Sequence, residues 1–558
     1  MKQETIDKIQ KLLVGDIAIK SRTDIESLYP QRQLPDGAIV TRSAPSPTGF
    51  MHIGTIYMCL LNQFLARQTS GVYMLRVEDT DKKRELSDGI SQIVDALTAF
   101  DLLPNEGVSA DGASYGPYGP YLQSQRQSLY MSFAVELLQS GRAYPCFATK
   151  EDLDASYASQ QAAKVRPGYY GQWALWRGKT DEEVNAALDA GLPFVLRFKS
   201  QGSHDKRVVF TDILKGKLEL PENELDVPLI KADGSQLPTY HLEHVVDDYL
   251  MKTTFILRGD EWLPSTPLHL ELADALHIQR FDYAHFAPIS IIDKTTSGKR
   301  KLSKRKDPEA NVDFWLHDTA YPIEPIKAYL LGLANSNFEE WYRDNPGKPL
   351  NEFVLSLDKL AASRAPLLDM TKLEDYSKEY IANLSLQDFE AGLKSLDNPE
   401  FNTALNNADK DYLEQVLNIE RDGEKRRKDV AKWSDGPAQY GYFFDELFEK
   451  NFNHQGREEF LSDFSDDVIR AACQAFLESY DPSDDQQVWF DKVKSAAEAC
   501  GFATDNKAFK ADPSKFKGNV AAFAKILRVK LTGKDRTPDL YTIIQVMGVD
   551  RIKSRLTK

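Results

Sequence analysis

Cysteine is scarce in this chain, and long apolar runs are missing. The 558 residues include four scattered cysteines, Cys59, Cys146, Cys473 and Cys500, which form no CxxC pair. This usage predicts neither a disulfide framework nor a readable zinc site. No stretch approaches the roughly 18 apolar residues of a membrane helix, and residues 1–16 alternate charged with apolar residues, unlike a signal peptide. We therefore expect a cytoplasmic protein that does not engage a membrane.

Positive charge is also in deficit. Lys and Arg number 69 against 84 Asp and Glu, which gives a net charge of −15. This balance argues against a protein that coats nucleic acid nonspecifically, because such binding needs a basic surface. It leaves room for a local basic patch, and residues 298–306, GKRKLSKRK, contain six Lys or Arg. Taken alone, such a run is typical of a solvated loop.

A Walker phosphate-binding loop is absent. The nearest candidate, Gly171 to Thr180, has six residues between its glycines where the motif requires four. Residues 45–55, PSPTGFMHIGT, offer another phosphate site, because a rigid loop there runs into a predicted helix start at Ile53. Unpaired amides and the helix dipole favour an anion at such a terminus. Gly54 would let a ring or phosphate approach the backbone, with His52 as a nearby donor.

The surroundings place this stretch at a ligand-binding edge. Residues 38–40 predict a strand, residues 53–65 have helical apolar spacing, and residues 72–77 predict a second strand. Such a βαβ unit binds ligands at the carboxyl ends of its strands. Both the quoted stretch and Glu78 lie at such ends.

The rest of the chain predicts a split α/β domain followed by a helical half. After Tyr144 short strands and loops are mixed, and sheet character returns at residues 253–258. Beyond Asp313 amphipathic helical patterns dominate. Residues 421–429, RDGEKRRKD, are interpreted as a solvated helix.

Two motifs resemble those of the class I aminoacyl-tRNA synthetases. The first resembles the HIGH signature and comprises Pro45, Ser46, Pro47, Thr48, Gly49, Phe50, Met51, His52, Ile53, Gly54 and Thr55. The second resembles the KMSKS loop and comprises Lys301, Leu302, Ser303, Lys304 and Arg305. Four further strings are similar to glutamyl-tRNA synthetases and stand in the same order: LRVEDTD (75–81), LPTYHLEHVVDD (237–248), ILRGDEWLPSTPLH (256–269) and LRVKLTG (527–533).

The resemblance implies an α/β fold in which a mixed α/β insertion splits a Rossmann-type parallel-sheet catalytic domain, and an all-α C-terminal half follows. The expected segments are an N-terminal extension (1–36), the first catalytic half (37–140), a tRNA acceptor-end-binding insertion (141–240), the second catalytic half with the KMSKS-type loop (241–312), a stem-contact helical region (313–385) and a helical anticodon-binding domain (386–558).

The resemblance also implies glutamate–tRNA ligase activity. Glutamate would attack the α-phosphate of ATP to give glutamyl-adenylate, and the glutamyl group would then pass to the 2′-hydroxyl of the terminal adenosine of tRNA(Glu). The expected cofactors are ATP and Mg²⁺, the expected partners are tRNA(Glu), L-glutamate and ATP, and a monomer is expected. Zinc-bearing relatives carry a CxC pair where this chain has Cys146-Phe147-Ala148, so no zinc is expected.

Site residues are carried over by motif position. The catalytic residues are His52, Lys304 and Lys301. The ATP-binding residues are His52, Gly54, Thr55, Glu261, Lys301 and Lys304. The glutamate-binding residues are Arg42, Ala44, Ser46, Glu78, Tyr240, His244, Arg258 and Trp262.

Charge complementarity fits two of these assignments. A guanidinium suits the side-chain carboxylate of glutamate, which Arg42 would hold, and Glu78 would hold the α-ammonium. The structural alternatives are a surface ion pair for Arg42, a helix cap for Glu78 and a core position for Tyr240. His244 stands where many relatives carry Asn, although imidazole can still donate a hydrogen bond.

Two rival interpretations stay open. A glutaminyl-tRNA synthetase shares the fold but typically reads PPEPNG where residues 44–49 read APSPTG, and its anticodon part is a β-barrel. A catalytically inactive tRNA-binding relative would have no need of His52 and Lys304, which are both present.

Overall fold

The computed structural model of the chain describes residues 1–557, apart from 82, 294, 363–365, 424 and 425. Its strands are β1 (Val40–Ser43), β2 (Val72–Leu75), β3 (Gly107–Val108), β4 (Ser114–Tyr115), β5 (Ala143–Cys146), β6 (Val195–Phe198), β7 (Arg207–Asp212), β8 (Gly216–Pro221), β9 (Pro228–Ile230), β10 (Phe255–Gly259), β11 (Asp282–Phe286), β12 (Ser290–Ile292) and β13 (Lys299–Lys301).

The first twelve helices are α1 (Gln3–Val14), α2 (Arg22–Leu28), α3 (Ile53–Gln68), α4 (Gly89–Ala99), α5 (Gln127–Gln139), α6 (Lys150–Ala162), α7 (Asp181–Asp189), α8 (Tyr240–Leu250), α9 (Thr266–Ala275), α10 (Ile323–Ala334), α11 (Phe338–Asp344) and α12 (Leu357–Ala362). The others are α13 (Met370–Asn383), α14 (Leu386–Lys394), α15 (Pro399–Asn407), α16 (Lys410–Leu417), α17 (Gly436–Tyr440), α18 (Asp445–Asn451), α19 (Asn453–Phe460), α20 (Asp466–Ser479), α21 (Gln486–Ala499), α22 (Asn506–Ala511), α23 (Val520–Thr532) and α24 (Leu540–Thr557), which is interrupted at Gly548.

The predicted βαβ unit is present. Strands β1 and β2 are parallel, with Val40 opposite Val72, and α3 connects them. Strand β1 starts at Val40 and extends through polar residues to Ser43, whereas the apolar run predicted residues 38–40. The strand can bury these polar side chains because each has a partner; the Thr41 hydroxyl, for example, donates to Asn62 Oδ1 at 2.5 Å.

A second parallel pair lies beside the first. Strands β10 and β11 pair in parallel, and α9 connects them. The Thr254 amide, just before β10, donates to the Val40 carbonyl at 2.9 Å, so β10 runs next to β1. Strand β11 also meets the hairpin β7–β8 through one parallel pair, Tyr283 with Asp212. The four carboxyl ends of β1, β2, β10 and β11 therefore share one region.

The segment between the two parallel pairs is mixed in structure, as predicted. Strands β5, β6 and β9 form an antiparallel sheet, with α6 and α7 in the connection between β5 and β6. The N-terminal residues join this part of the chain, because Lys8 Nζ binds Asp189 Oδ1 at 2.5 Å and Asn185 Nδ2 donates to Thr5 Oγ1 at 2.9 Å.

The chain forms two compact units, Met1–Asp313 with Lys327–Leu368, and Phe314–Ile326 with Asp369–Lys558. The second unit is helical, and its apolar core includes Phe389, Phe443 and Ile526, all completely buried.

The expectation of a solvated helix at 421–429 is wrong. Arg421 is buried there, donates to the Ile381 carbonyl at 2.9 Å and stacks 4.0 Å from the Phe389 ring centre, because the charged head can cover an aromatic core while carbonyls satisfy it. Residues 424 and 425 of that stretch lie outside the described residues.

Among the described residues no helix has the length and apolar character needed to cross a membrane. The same residues contain no group of three or more His, Cys, Asp or Glu side chains arranged to hold a metal ion.

Candidate active site

A cavity of about 300 Å³ lies in the first unit, where β1, β2, β10 and β11 end. Eleven of the predicted ATP- and glutamate-binding residues line it together: Arg42, Ala44, His52, Gly54, Thr55, Glu78, Tyr240, Arg258, Glu261, Trp262 and Lys301. They come from positions as far apart in the chain as 42 and 301. The predicted edge of the sheet is therefore a concave site that carries charges of both signs.

His52 caps the helix that starts this site. Its Nδ1 accepts a hydrogen bond from the Gly54 amide at 2.8 Å, so the ring proton lies on Nε2. Burial, and then the Lys304 charge, lower the pKa of His52 to about 4. The imidazole is therefore neutral at pH 7 and has one N–H to donate. A Cβ on residue 54 would lie 2.9 Å from Nδ1, so a larger residue there would displace the His52 ring.

The basic run faces the same helix start. Lys299–Lys301 form β13, which pairs with β12, and Arg300 binds both Asp293 and Asp307. Lys304 Nζ donates to the Phe50 carbonyl in the HIGH-type loop. Lys301 Nζ binds Glu261 Oε1 at 2.5 Å. The two motifs predicted to act on one polyphosphate are thus in contact, and Lys301 and Lys304 are exposed residues.

Arg42 is buried, and one edge of its guanidinium is paired with Asp248. Its Nε and Nη2 donate to the two carboxylate oxygens of Asp248 at 2.9 and 3.2 Å. Asp248 also accepts from Arg76 Nη1 at 2.8 Å. Burial opposes ionisation of Asp248, but Arg42 and Arg76 together keep its pKa well below the usual range. Arg42 is therefore not a surface ion pair, and its Nη1 edge is the part left for a ligand.

Glu78 faces Arg42 across this network and does not cap a helix. Its Oε1 lies 3.8 Å from Arg76 Nη2, and its amide donates to the Pro45 carbonyl at 3.0 Å. Burial raises the pKa of the carboxyl to about 7, against the opposing effect of Arg76 and Arg42. A cationic ligand group would stabilise the ionised form.

Two aromatic rings form another wall of the cavity, and an imidazole lies behind them. Tyr240 stacks against Trp262 with ring centres 4.4 Å apart, and His244 lies behind Tyr240 with nearly parallel rings 5.8 Å apart. Tyr240 is thus both a core contact and part of the cavity wall. His244 is completely buried and does not line the cavity, and its Nδ1 is 2.8 Å from Asp248 Oδ2. Although His244 was predicted as a glutamate ligand, it sits one layer behind the surface that a ligand would touch.

Ser46, also predicted to bind glutamate, lines a neighbouring cavity of about 580 Å³. This second cavity shares Glu78, Tyr240 and Trp262 with the first. It is otherwise lined mainly by polar side chains and by charges of both signs: Lys83, Arg84 and Lys231 on one hand, and Asp81, Asp233 and Glu243 on the other. A second substrate could therefore approach the same wall from the other side.

Several site residues were missed by sequence reasoning. Asp248 and Arg76 hold the charged network, and their strings were noted only for resemblance. The signal was an acidic pair, Asp247-Asp248, that ends an apolar helical run. Phe286 and Pro288 also line the first cavity, and their position at the end of β11 and just after it could have suggested this.

Comparison with known proteins confirms the predicted resemblance. Residues 38–344 match the family model for class I tRNA synthetases (E and Q), catalytic domain. A glutamate–tRNA ligase of Sorangium cellulosum is 40% identical, over 98% of this chain and 100% of its own length. One from Clostridium perfringens strain SM101 is 40% identical over 95% of each chain.

A solved structure agrees at the level of the fold. A glutamate tRNA ligase from Elizabethkingia meningosepticum, crystallised in complex with its amino acid, superposes with a TM-score of 0.68 at 23% identity, and covers 93% of this chain and 98% of its own. The mixed α/β sheets and the helical second half are therefore those of a class I synthetase fold. The chain belongs to the class I tRNA synthetase family, in the group of the glutamate and glutamine enzymes.

Proposed function

We propose that the chain is a glutamate–tRNA ligase that activates L-glutamate with ATP and transfers it to tRNA(Glu). The observation that carries this proposal is the shared cavity, where a buried guanidinium and a buried carboxyl lie beside a neutral histidine at a helix start. These are the groups needed for an amino acid with two carboxylates next to a polyphosphate. The identity of about 40% to glutamate–tRNA ligases over nearly the whole chain supports the same activity.

Glutamate recognition follows from the charges. The Nη1 edge of Arg42 binds the side-chain carboxylate, because Asp248 already holds the Nε–Nη2 edge. Glu78 binds the α-ammonium, and Arg258 and Tyr240 close the pocket. Glutamine is rejected because its amide NH₂ would point a donor at a guanidinium that has only donors. Sites with such obligatory polar pairing discriminate by on the order of 10⁴ or more.

Activation rests on positioning and on charge. The α-carboxylate of glutamate attacks the α-phosphate of ATP, and pyrophosphate leaves. His52 donates Nε2–H to a phosphate oxygen, and the α3 terminus adds its dipole. Lys301 and Lys304 stabilise the charge that develops on pyrophosphate. Mg²⁺ brought in with ATP would neutralise part of the phosphate charge beside His52, Lys301 and Lys304.

Transfer uses the neighbouring cavity. The tRNA acceptor end approaches over this surface, where Lys83, Arg84 and Lys231 can meet its phosphates, although Arg84 is also paired with Asp81 at 2.7 Å. Its terminal 2′-hydroxyl then reaches the adenylate past the shared wall of Tyr240 and Trp262. Because the net charge is −15, tRNA binding relies on local basic side chains rather than on the whole surface.

The finer architecture is part of the proposal. Strands β1, β2, β10 and β11 belong to one Rossmann-type sheet, supported by the hydrogen bond from Thr254 to Val40. The domains are those expected at 1–36, 37–140, 141–240, 241–312, 313–385 and 386–558.

The protein acts as a cytoplasmic monomer without zinc. Cys146 supports the absence of zinc, because it lies 3.2 Å from the Tyr169 hydroxyl in a small apolar core rather than beside another thiol.

The deciding experiment is aminoacylation of tRNA(Glu) and tRNA(Gln) with glutamate and with glutamine. Charging of tRNA(Glu) with glutamate alone supports the proposal, and charging with glutamine would favour a glutaminyl enzyme. A catalytically inactive relative would give no glutamate-dependent exchange of pyrophosphate into ATP, with or without tRNA. Stoichiometric zinc in the purified protein would contradict the zinc-free insertion.

A further inference from the structure

Histidines surround Arg258, and the proposed mechanism uses none of them. Arg258 lies on β10 and is buried. Its Nε donates to His285 Nε2 at 2.8 Å, its Nη1 lies 3.1 Å from His269 Nδ1, and its Nη2 donates to Thr266 Oγ1 at 2.9 Å. Three protein acceptors thus hold a guanidinium that lines the glutamate cavity.

Behind His285 lies a carboxylate. Asp212 Oδ2 is 2.6 Å from His285 Nδ1, and both residues are completely or almost completely buried. Asp212 Oδ1 also accepts from the amides of Leu214 at 3.0 Å and Lys215 at 2.9 Å. The carboxylate is therefore held in one place by the turn that follows β7, and it holds the imidazole in turn.

The hydrogen bonds fix which nitrogen of His285 carries the proton. A carboxylate accepts, so Nδ1 must donate to Asp212, and Nε2 must then be an acceptor. Only an acceptor can receive the Nε–H of Arg258. Burial lowers the pKa of His285, and the hydrogen bond to His285 helps to keep the pKa of Asp212 below its usual value despite burial. Both observations agree with a neutral ring beside an ionised carboxylate.

The same contacts decide what Arg258 can offer a ligand. A guanidinium has five N–H bonds. The three acceptors named above take one bond each on Nε, Nη1 and Nη2, and Nη1 also lies 3.5 Å from His244 Nε2. The second N–H of Nη2 is therefore the one left for a ligand, and it points at a carboxylate only if the plane of the guanidinium is fixed.

We propose that Asp212 is a positioning residue for glutamate, which acts through His285 to fix the plane of Arg258. This inference rests on the proposed function and adds a residue from the insertion hairpin β7–β8 to the glutamate site. Asp212 is 46 residues before Arg258 in the chain and does not line the cavity. Its effect on glutamate binding therefore has to pass through the imidazole ring of His285.

The test is steady-state charging of tRNA(Glu) by Asp212→Asn in the full chain. An amide can present its NH₂ to the ring and reverse the preferred tautomer, which removes the acceptor for Arg258. We expect the KM for glutamate to rise about tenfold to a hundredfold, and the KM for ATP to change less than about twofold. Asp226→Asn is the matched control, because Asp226 is an equally buried carboxylate of the insertion that binds Tyr144 and Arg177, not Arg258.

A double-mutant cycle separates positioning from folding. His285→Ala should raise the KM for glutamate selectively without disturbing the turn amides that Asp212 holds. Adding Asp212→Asn to His285→Ala should then change that KM less than about twofold, because the link is already broken. Independent, additive effects would overturn the proposal, and so would equal changes in the KM values for glutamate and ATP. If the unmodified protein failed to charge tRNA with glutamate, the proposed function would fall; normal charging with an unaffected Asp212→Asn would remove this inference alone.

Discussion

Glu78 predicts a pH dependence of glutamate use. Burial raises the pKa of this carboxyl to about 7, although Arg76 and Arg42 oppose the shift. In the proposed site the α-ammonium of glutamate pairs with the ionised form only, so binding should weaken as the pH falls through 7. The ionised fraction of such a group falls from about 0.9 at pH 8 to about 0.1 at pH 6, so the KM for glutamate should rise about tenfold over that range.

The histidines of the site do not obscure this signal. Burial, followed by nearby positive charges, lowers the pKa of His52 and His241 to about 4. Burial lowers that of His244 to about 3 against the opposing effect of Asp248. All three rings therefore stay neutral across the range, and the KM for ATP, measured at each pH, is an internal control.

Two variants test whether Glu78 causes the bend, which is the rise in the KM for glutamate as the pH falls from about 8 to about 6. Glu78→Gln should raise the KM for glutamate at pH 8 and make it independent of pH. Glu243→Gln is the control, because Glu243 is also buried with a raised pKa, and it should keep the bend. A wild-type KM for glutamate that is flat from about pH 6 to about pH 8 would refute the reasoning, as would a bend that survives in Glu78→Gln.

Three further changes test other parts of the molecule. Arg42→Ala should raise the KM for glutamate and lower the free energy of unfolding in urea by about 3 to 5 kcal/mol, because Asp248 loses a buried partner; unchanged stability would contradict the pairing. Lys304→Ala should lower kcat for pyrophosphate exchange about a hundredfold with a smaller effect on the KM for glutamate; a change in KM alone would argue for ground-state binding instead. Gly71→Ala should lower the free energy of unfolding by about 1 to 3 kcal/mol, and the melting temperature with it, because a Cβ there would lie 1.9 Å from the Ile39 carbonyl beside β1. An unchanged melting temperature would show that the backbone at Ile39 can move away from residue 71 at no cost.

Local patterns were enough to predict the first part of the site. Helical spacing from Ile53 predicted α3, which begins at that residue, and the flanking apolar runs predicted its two parallel strands. These elements depend on interactions between near neighbours, which periodicity reports directly. The clustering of the two synthetase motifs required more, because His52 and Lys304 are far apart in the chain. Only the resemblance to a family brought them together before the structure did.

The charged partners could not be predicted in the same way. Asp248 lies 206 residues from Arg42, and Asp212 lies 73 residues from His285. No periodic pattern connects such positions, and a lone Asp in a sequence is usually exposed. Strand β1 was placed too early for the same reason, since Thr41, Arg42 and Ser43 are buried only because distant residues satisfy them.

These long-range pairs also place the proposed glutamate site in the core of the protein. Asp248 uses the Nε–Nη2 edge of Arg42 for folding and leaves the Nη1 edge for the ligand, so one guanidinium serves both purposes. Arg258 is divided similarly between protein acceptors and the cavity. Since a buried guanidinium without its carboxylate is costly, the pairs that would fix selectivity in the proposed glutamate site are also required for a stable fold. A change of amino-acid specificity would therefore have to replace Arg42 and Asp248 together, and substitution of Arg42 alone should lose stability before it gains a new substrate.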